Sequence, residues 1–138
     1  MDAAFNDRRV APRVDKTVKL KDGQEVLIRN MRPTDVEASF EFFSELPRED
    51  RRYLRTDVTQ RELVERRTTE VDSGRADRLV AAVGHEIVAD GTLELKGHGW
   101  GDAIGEIRLI VARPYQHLGL GTLLARELYY LAMQHKLD

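Results

Sequence analysis

The segment from Ala103 to Lys136 sets an apolar run, IRLIVA, ahead of RPYQHLGLG and a long amphipathic stretch, TLLARELYYLAMQHK. The run over Ala103–Ala112 has the length and composition of a strand, while Leu120, Leu123, Leu124, Leu128, Leu131 and Ala132 recur at helical spacing, predicting a helix over Gly119–Lys136. A strand that enters a helix through a glycine turn leaves several backbone N–H groups without partners inside the helix. Those donors point outward with the positive end of the helix dipole, about half an elementary charge. Gly119 and Gly121 lack the Cβ atoms that would hold an anion away, and no Asp or Glu occurs between Ala112 and Arg126 to repel one. Gln116 offers a side-chain amide, and Arg113 or Arg126 a longer-range attraction. The turn suits a diphosphate.

Upstream, the elements alternate. Thr17–Lys21 and Gln24–Arg29 flank Asp22-Gly23, a hairpin signature. Thr34 and Glu37 have capping-box spacing, and Val36, Phe40, Phe43 and Leu46 form a helical stripe that Pro47 ends. A short helical piece is expected around Asp50–Arg55, and a second helix from Thr59, capped with Glu62, to about Asp72, before Ser73-Gly74. Arg78–Val83 and Glu86–Lys96 read as strands joined by a turn at Gly84–Glu86, with Asp90-Gly91 as a bulge in the second. Residues 97–102 form a loop. Residues 1–16, polar and irregular, read as a flexible arm.

Composition narrows the classes. A chain of 138 residues, 41% hydrophobic and 33% charged, holds one domain with one core. Its 22 basic and 24 acidic side chains give a net charge of −2 and no broad basic face, so nucleic-acid binding lacks its main driving term. Cysteine is absent, which removes disulfides and thiolate chemistry. The start MDAAFNDRRVAPRVDK has no apolar core of a signal peptide, and no apolar run approaches a membrane span. A cytoplasmic location is the default expectation, with no membrane partner.

Two common nucleotide motifs do not fit the glycine turn. A P-loop needs Lys-Ser/Thr after its glycines, whereas Thr122-Leu123 follows Gly121 and the next lysine is Lys136. A dinucleotide fingerprint needs a third small residue where Leu124 stands. Gln116-His117-Leu118-Gly119-Leu120-Gly121 instead satisfies Gln/Arg-x-x-Gly-x-Gly/Ala between a strand and a helix. With EIRLIVARPYQHLGLGTLL as its context, the sequence resembles the GNAT superfamily of acetyl-CoA-dependent N-acetyltransferases over residues 17–138. LKDGQEVLIRNMRPTD, with EFFSEL behind it, is similar to the start of bacterial GNAT domains that acetylate lysines on other proteins, acetyl-CoA synthetase among them.

The resemblance implies an α+β, three-layer fold: a mixed, mainly antiparallel central sheet with helices on both faces. It implies that backbone groups at Ile110, Val111 and Ala112 pair with the pantetheine arm of acetyl-CoA. His117, Leu118, Gly119, Leu120, Gly121 and Thr122 would bind the diphosphate, with Gln116 beside them. The implied reaction is acetyl transfer to a primary amine, a protein lysine or a small molecule, by direct attack in a ternary complex. The amine's proton is the obstacle: at an ordinary pKa near 10.4, the neutral form at pH 7 lies about 4 to 5 kcal/mol uphill. A strand carboxylate acting as general base contributes about 10² to 10⁴ in rate. Glu106 matches the family position for this base and would share a face with Arg108 and Ile110. Glu94, on the neighbouring strand, is the alternative.

Simpler roles compete. The glycines at 119 and 121 also suit a tight turn and close helix packing, and a glutamate on a strand is commonly a solvated edge residue. His85, His98, His117 and His135 lack metal-ligand spacing, so no metal is expected. Tyr129-Tyr130 reads as one core and one surface residue, Trp100 as a loop anchor, and Arg51-Arg52 and Arg66-Arg67 as solvated helix faces. A complete domain of the resembled kind would continue past Asp138 with a fifth strand and the tyrosine that often protonates the leaving thiolate. Residues 17–138 are thus expected to be its N-terminal part, with C-terminal strands missing and the fourth-strand edge open to homodimerisation. The alternative function is a non-catalytic acyl-CoA-binding regulatory module.

Overall fold

Alternation between Val18, Leu20, Val26 and Ile28, all buried, and exposed neighbours at Thr17, Lys19 and Glu25 gives two half-buried strands. In the computed structural model, which describes residues 13–52, 60–69, 76–96 and 104–137, these are β1 (Asp15–Lys19) and β2 (Glu25–Asn30). They pair antiparallel with Lys19 opposite Glu25. The turn closes through Gly23, at φ 91, while the Asp22 carboxylate accepts from the Gln24 backbone at 3.1 Å and its side-chain amide at 2.6 Å. β1 begins at Asp15, two residues inside the stretch expected to be an arm; residues 1–12 lie outside the described residues.

Helix α1 (Val36–Glu45) follows a 3-10 turn over Pro33–Asp35. The expected Thr34–Glu37 box does not form. Asp35 does that work: its carboxylate accepts from the Arg32 N–H at 2.7 Å and takes both terminal nitrogens of Arg29 at 2.9 Å. This clamps the start of α1 to β2. The buried stripe of α1 also differs from expectation, because Ser39, Phe42, Phe43 and Leu46 are buried and Val36 and Phe40 only partly so. Next come α2 (Arg48–Arg51), which starts two residues before the expected Asp50–Arg55, whose residues 53–55 lie outside the described residues, and α3 (Arg61–Thr69). The expected cap at Thr59 and stop at Ser73-Gly74 lie outside the described residues, as do Trp100 and His98.

β3 (Ala76–Val83), β4 (Glu86–Lys96) and β5 (Ile104–Val111) complete a sheet of order β1-β2-β3-β4-β5, in which every pairing is antiparallel. The bulge in β4 does not sit at Asp90-Gly91, which pair regularly with Val80 and Leu79; the register shifts between Ala81 and Ala82, leaving Val88 as the extra residue. Ile87 therefore packs with α1 and α3, while Val88 and Ala89 both join the cluster on the opposite face.

Gly91 is required for another reason. A Cβ there would meet Leu128 Cδ1 at 2.8 Å and Leu124 Cγ and Cδ2 at 3.2 Å, so the glycine lets the last helix lie close on the sheet. That helix, α4 (Leu120–Leu137), buries Leu120, Leu124, Leu128 and Leu131 against β1–β5. Each fully buried leucine contributes about 1.5–3 kcal/mol. The other face of the sheet is covered by α1 and α3, through Phe42, Phe43, Leu46 and Val64. Tyr129 and Tyr130 are both exposed, rather than one facing the core.

Candidate cofactor and active site

β5 ends at Val111, and a 3-10 turn over Arg113–Tyr115 carries the chain to Gln116. His117 and Gly119 then take positive φ values of 67° and 92°. The Gly119 carbonyl accepts the first helical hydrogen bond, from Leu123 at 3.1 Å. Consequently the backbone N–H groups of His117, Leu118, Gly119, Leu120, Gly121 and Thr122 donate to no other described residue. These six successive donors precede the first satisfied N–H of an 18-residue helix. Such a run, with the dipole behind it, has the donors and the partial positive charge to hydrogen-bond an anion.

The two glycines differ in role. At Gly119 the left-handed backbone favours glycine, and the side above it meets only the aliphatic stem of Lys21, at 3.6 and 3.7 Å from where a Cβ would stand. At Gly121 a Cβ would point at Leu109 Cδ1 and Val111 Cγ2, at 3.8 and 3.9 Å. A side chain at Gly121 would thus face the strand at ordinary contact distance. Gln116 turns inward as well, donating its side-chain amide to the Val111 carbonyl at 2.9 Å. Arg113 is engaged by Asp50 of α2, with Nε and Nη2 each 3.2 Å from its carboxylate. That hydrogen bond, and then the charge of Asp50, raise the arginine's pKa above its ordinary value.

Along β5 the backbone groups alternate between β4 and the open edge. The Ala112 N–H bonds the Val88 carbonyl at 2.9 Å, so Ala112 and, two residues back, Ile110 address β4. Val111 and Leu109 address the edge. Of the three residues expected to meet pantetheine, only Val111 presents its main chain there, and Gln116 already holds its carbonyl.

Glu106 and Glu94 stand directly opposite each other in the β4–β5 register, on the face covered by α1 and α3. Like charges so placed repel. The next row of the same face supplies cations: Arg108 opposite Thr92, and Arg78, which donates to Thr92 Oγ1 at 3.1 Å. Arg108 Nη2 donates to Glu106 Oε2 at 2.8 Å, leaving the Glu106 side chain 38% exposed. A partly solvated carboxylate beside Arg108 can accept a proton directly or through water. Among the described residues, no group of His, Asp and Glu is arranged to hold a metal ion.

Two features escape a reading of the sequence. Arg67, expected on a solvated helix face, is buried: Nη2 donates to Asp90 Oδ1 at 2.8 Å, and its guanidinium carbon lies 5.2 Å from the Phe43 ring centroid. A cleft of about 620 Å³ lies between the C-terminal end of α1, the β3–β4 turn and Arg113–Tyr115. None of Gln116–Thr122 lines it, so the cleft and the amide run are separate features.

The five-stranded sheet with helices on both faces and a strand–loop–helix unit at its end make an α+β fold of GNAT type. The GNAT domain of S. lividans PAT is similar at TM-score 0.74 and 22% identity, over 87% of this chain and 72% of that one. The PaiA N-acetyltransferase of Thermoplasma acidophilum, solved in complex with coenzyme A, gives 0.63 and 15%, over 81% and 74%. A predicted acetyltransferase from Clostridium acetobutylicum, solved with acetyl-CoA, gives 0.62 and 11%, over 80% and 75%. No protein-family model matches the sequence, and no curated protein matches it. No described helix is long and apolar enough to cross a membrane.

Proposed function

We propose that this chain binds acetyl-CoA and serves acetyl transfer to a primary amine. The observation that carries the reading is the run of six amides from His117 to Thr122, none of them bonded to a described residue, at the head of α4. A diphosphate seated there places the pantetheine arm along the open edge of β5, where Val111 and Leu109 present their main chain. The thioester then lies further down the strand, near Glu106. The acceptor ammonium gives a proton to the Glu106 carboxylate, directly or through water; its nitrogen attacks the thioester carbonyl, the C–S bond breaks, and coenzyme A leaves as a thiolate that takes up the second proton released by the nitrogen. Lysine side chains of proteins are the favoured acceptor class, on the likeness to the S. lividans PAT domain and on the hairpin sequence LKDGQEVLIRNMRPTD.

Calorimetric titration of the chain with coenzyme A tests the cofactor half. Saturable one-to-one binding is expected, with protection of amides 117–122 from hydrogen exchange. Absence of binding overturns the reading, whereas binding without transfer to any amine assigns the chain to the regulatory class.

A further inference from the structure

The β1–β2 hairpin reaches the amide run from the far side of the sheet. The Lys21 N–H donates to the Leu118 carbonyl at 3.0 Å, fixing the hairpin tip to the loop. The Lys21 stem then crosses Gly119, with Cε and Cγ 3.6 and 3.7 Å from where a Cβ on that glycine would stand. Its ammonium forms no ion pair or hydrogen bond with a described residue. The adjacent Asp22 carboxylate is taken by the Gln24 backbone and side-chain amides, and the loop itself carries no carboxylate. Arg113, the other cation beside the turn, is committed to Asp50.

Resting on the cofactor reading above, we propose that Lys21 is the cationic arm of the phosphate site, contacting a phosphate of coenzyme A held on the amides of residues 117–122. Amide donors and a helix dipole supply partial charges, whereas the ligand carries full negative charges. A lysine on a flexible four-carbon stem supplies the missing formal charge as a mobile point donor. The latch from Lys21 N–H to Leu118 keeps the stem over the loop whichever way the ammonium swings. The hairpin is thus a specificity element for phosphorylated acyl donors, as well as the first turn of the sheet.

Lys21→Met preserves the stem across Gly119 and removes the charge, and Lys21→Arg preserves the charge. With coenzyme A as titrant, the dissociation constant should rise about tenfold in Lys21→Met, the scale of one charge-assisted hydrogen bond, and stay within about threefold in Lys21→Arg. Salt should weaken binding less in Lys21→Met than in the unsubstituted chain. Dephospho-coenzyme A, which keeps the diphosphate and lacks the 3′-phosphate, identifies the contact: a persistent penalty assigns Lys21 to the diphosphate, and a vanished one to the 3′-phosphate. Coenzyme A affinity unchanged in Lys21→Met, while the unsubstituted chain binds normally, overturns the role of Lys21 alone. No binding by the unsubstituted chain overturns the cofactor reading with it.

Discussion

Gln116 donates its side-chain amide to the main-chain carbonyl of Val111 at 2.9 Å, so the loop that carries the amides of residues 117–122 stands on the strand that precedes it. The bond spans the 3-10 turn and fixes where the donors point relative to the open edge of β5. Replacing Gln116 by Leu removes one hydrogen bond, on the order of 1 kcal/mol. Hydrogen exchange across residues 112–119 should accelerate, and the coenzyme A dissociation constant should rise about fivefold while the melting temperature changes little.

The glycines should respond unequally to alanine. Gly119→Ala forces a side chain onto a backbone at φ 92, costing about 1 kcal/mol or more and distorting the amide run. Gly121→Ala adds a methyl at ordinary contact distance from Leu109 and Val111. Calorimetry should show coenzyme A affinity reduced several-fold in the first and within about twofold of the parent in the second. Abolished binding in Gly121→Ala would contradict the geometry described.

Removing either partner of the Arg67–Asp90 pair strands a charge among Phe43 and its neighbours. Asp90→Ala should lower unfolding free energy by about 3–5 kcal/mol in urea titrations. The double substitution Arg67→Met with Asp90→Leu should recover most of that loss, since two apolar side chains need no mutual hydrogen bond. Their single losses should therefore fail to add.

Glu106→Gln keeps the shape and the approach of Arg108 but removes the proton acceptor. With acetyl-CoA and a lysine-containing peptide, turnover should fall about 10² to 10⁴-fold, with coenzyme A affinity unchanged. Glu94→Gln should have a smaller effect, because it removes a repelling neighbour of Glu106 and leaves the base in place. A turnover number unaltered in Glu106→Gln would exclude it from the proton transfer.

The sheet was legible where short-range chemistry decides: Asp22-Gly23 demands a hairpin, and period-two alternation from Thr17 to Ile28 sets its faces. Helix α4 was legible for the same reason, through leucines at 120, 124, 128 and 131. The face of α1 was not, because Phe40, Phe42 and Phe43 fit two overlapping stripes and only packing against Ile87 and Val64 chooses between them. Arg67 was illegible because its burial depends on Asp90, 23 residues away on another element. At the site, glycine content announced a turn, but only the backbone angle at Gly119 and the strand beside Gly121 divide their roles. Lys21 gave no signal, since Leu118, the residue it latches, lies 97 positions further along the chain.

Strand order in this sheet equals strand order in the chain. Each strand can therefore zip onto one already synthesised, and no strand waits for a later one to be inserted beside it. The amide loop is different, for it is shaped by Val111 at its start and gripped by the first hairpin at its middle. The proposed cofactor site is in this sense completed last, when the two ends of the described chain meet, and whatever loosens that meeting would disturb the loop before it unfolds the sheet.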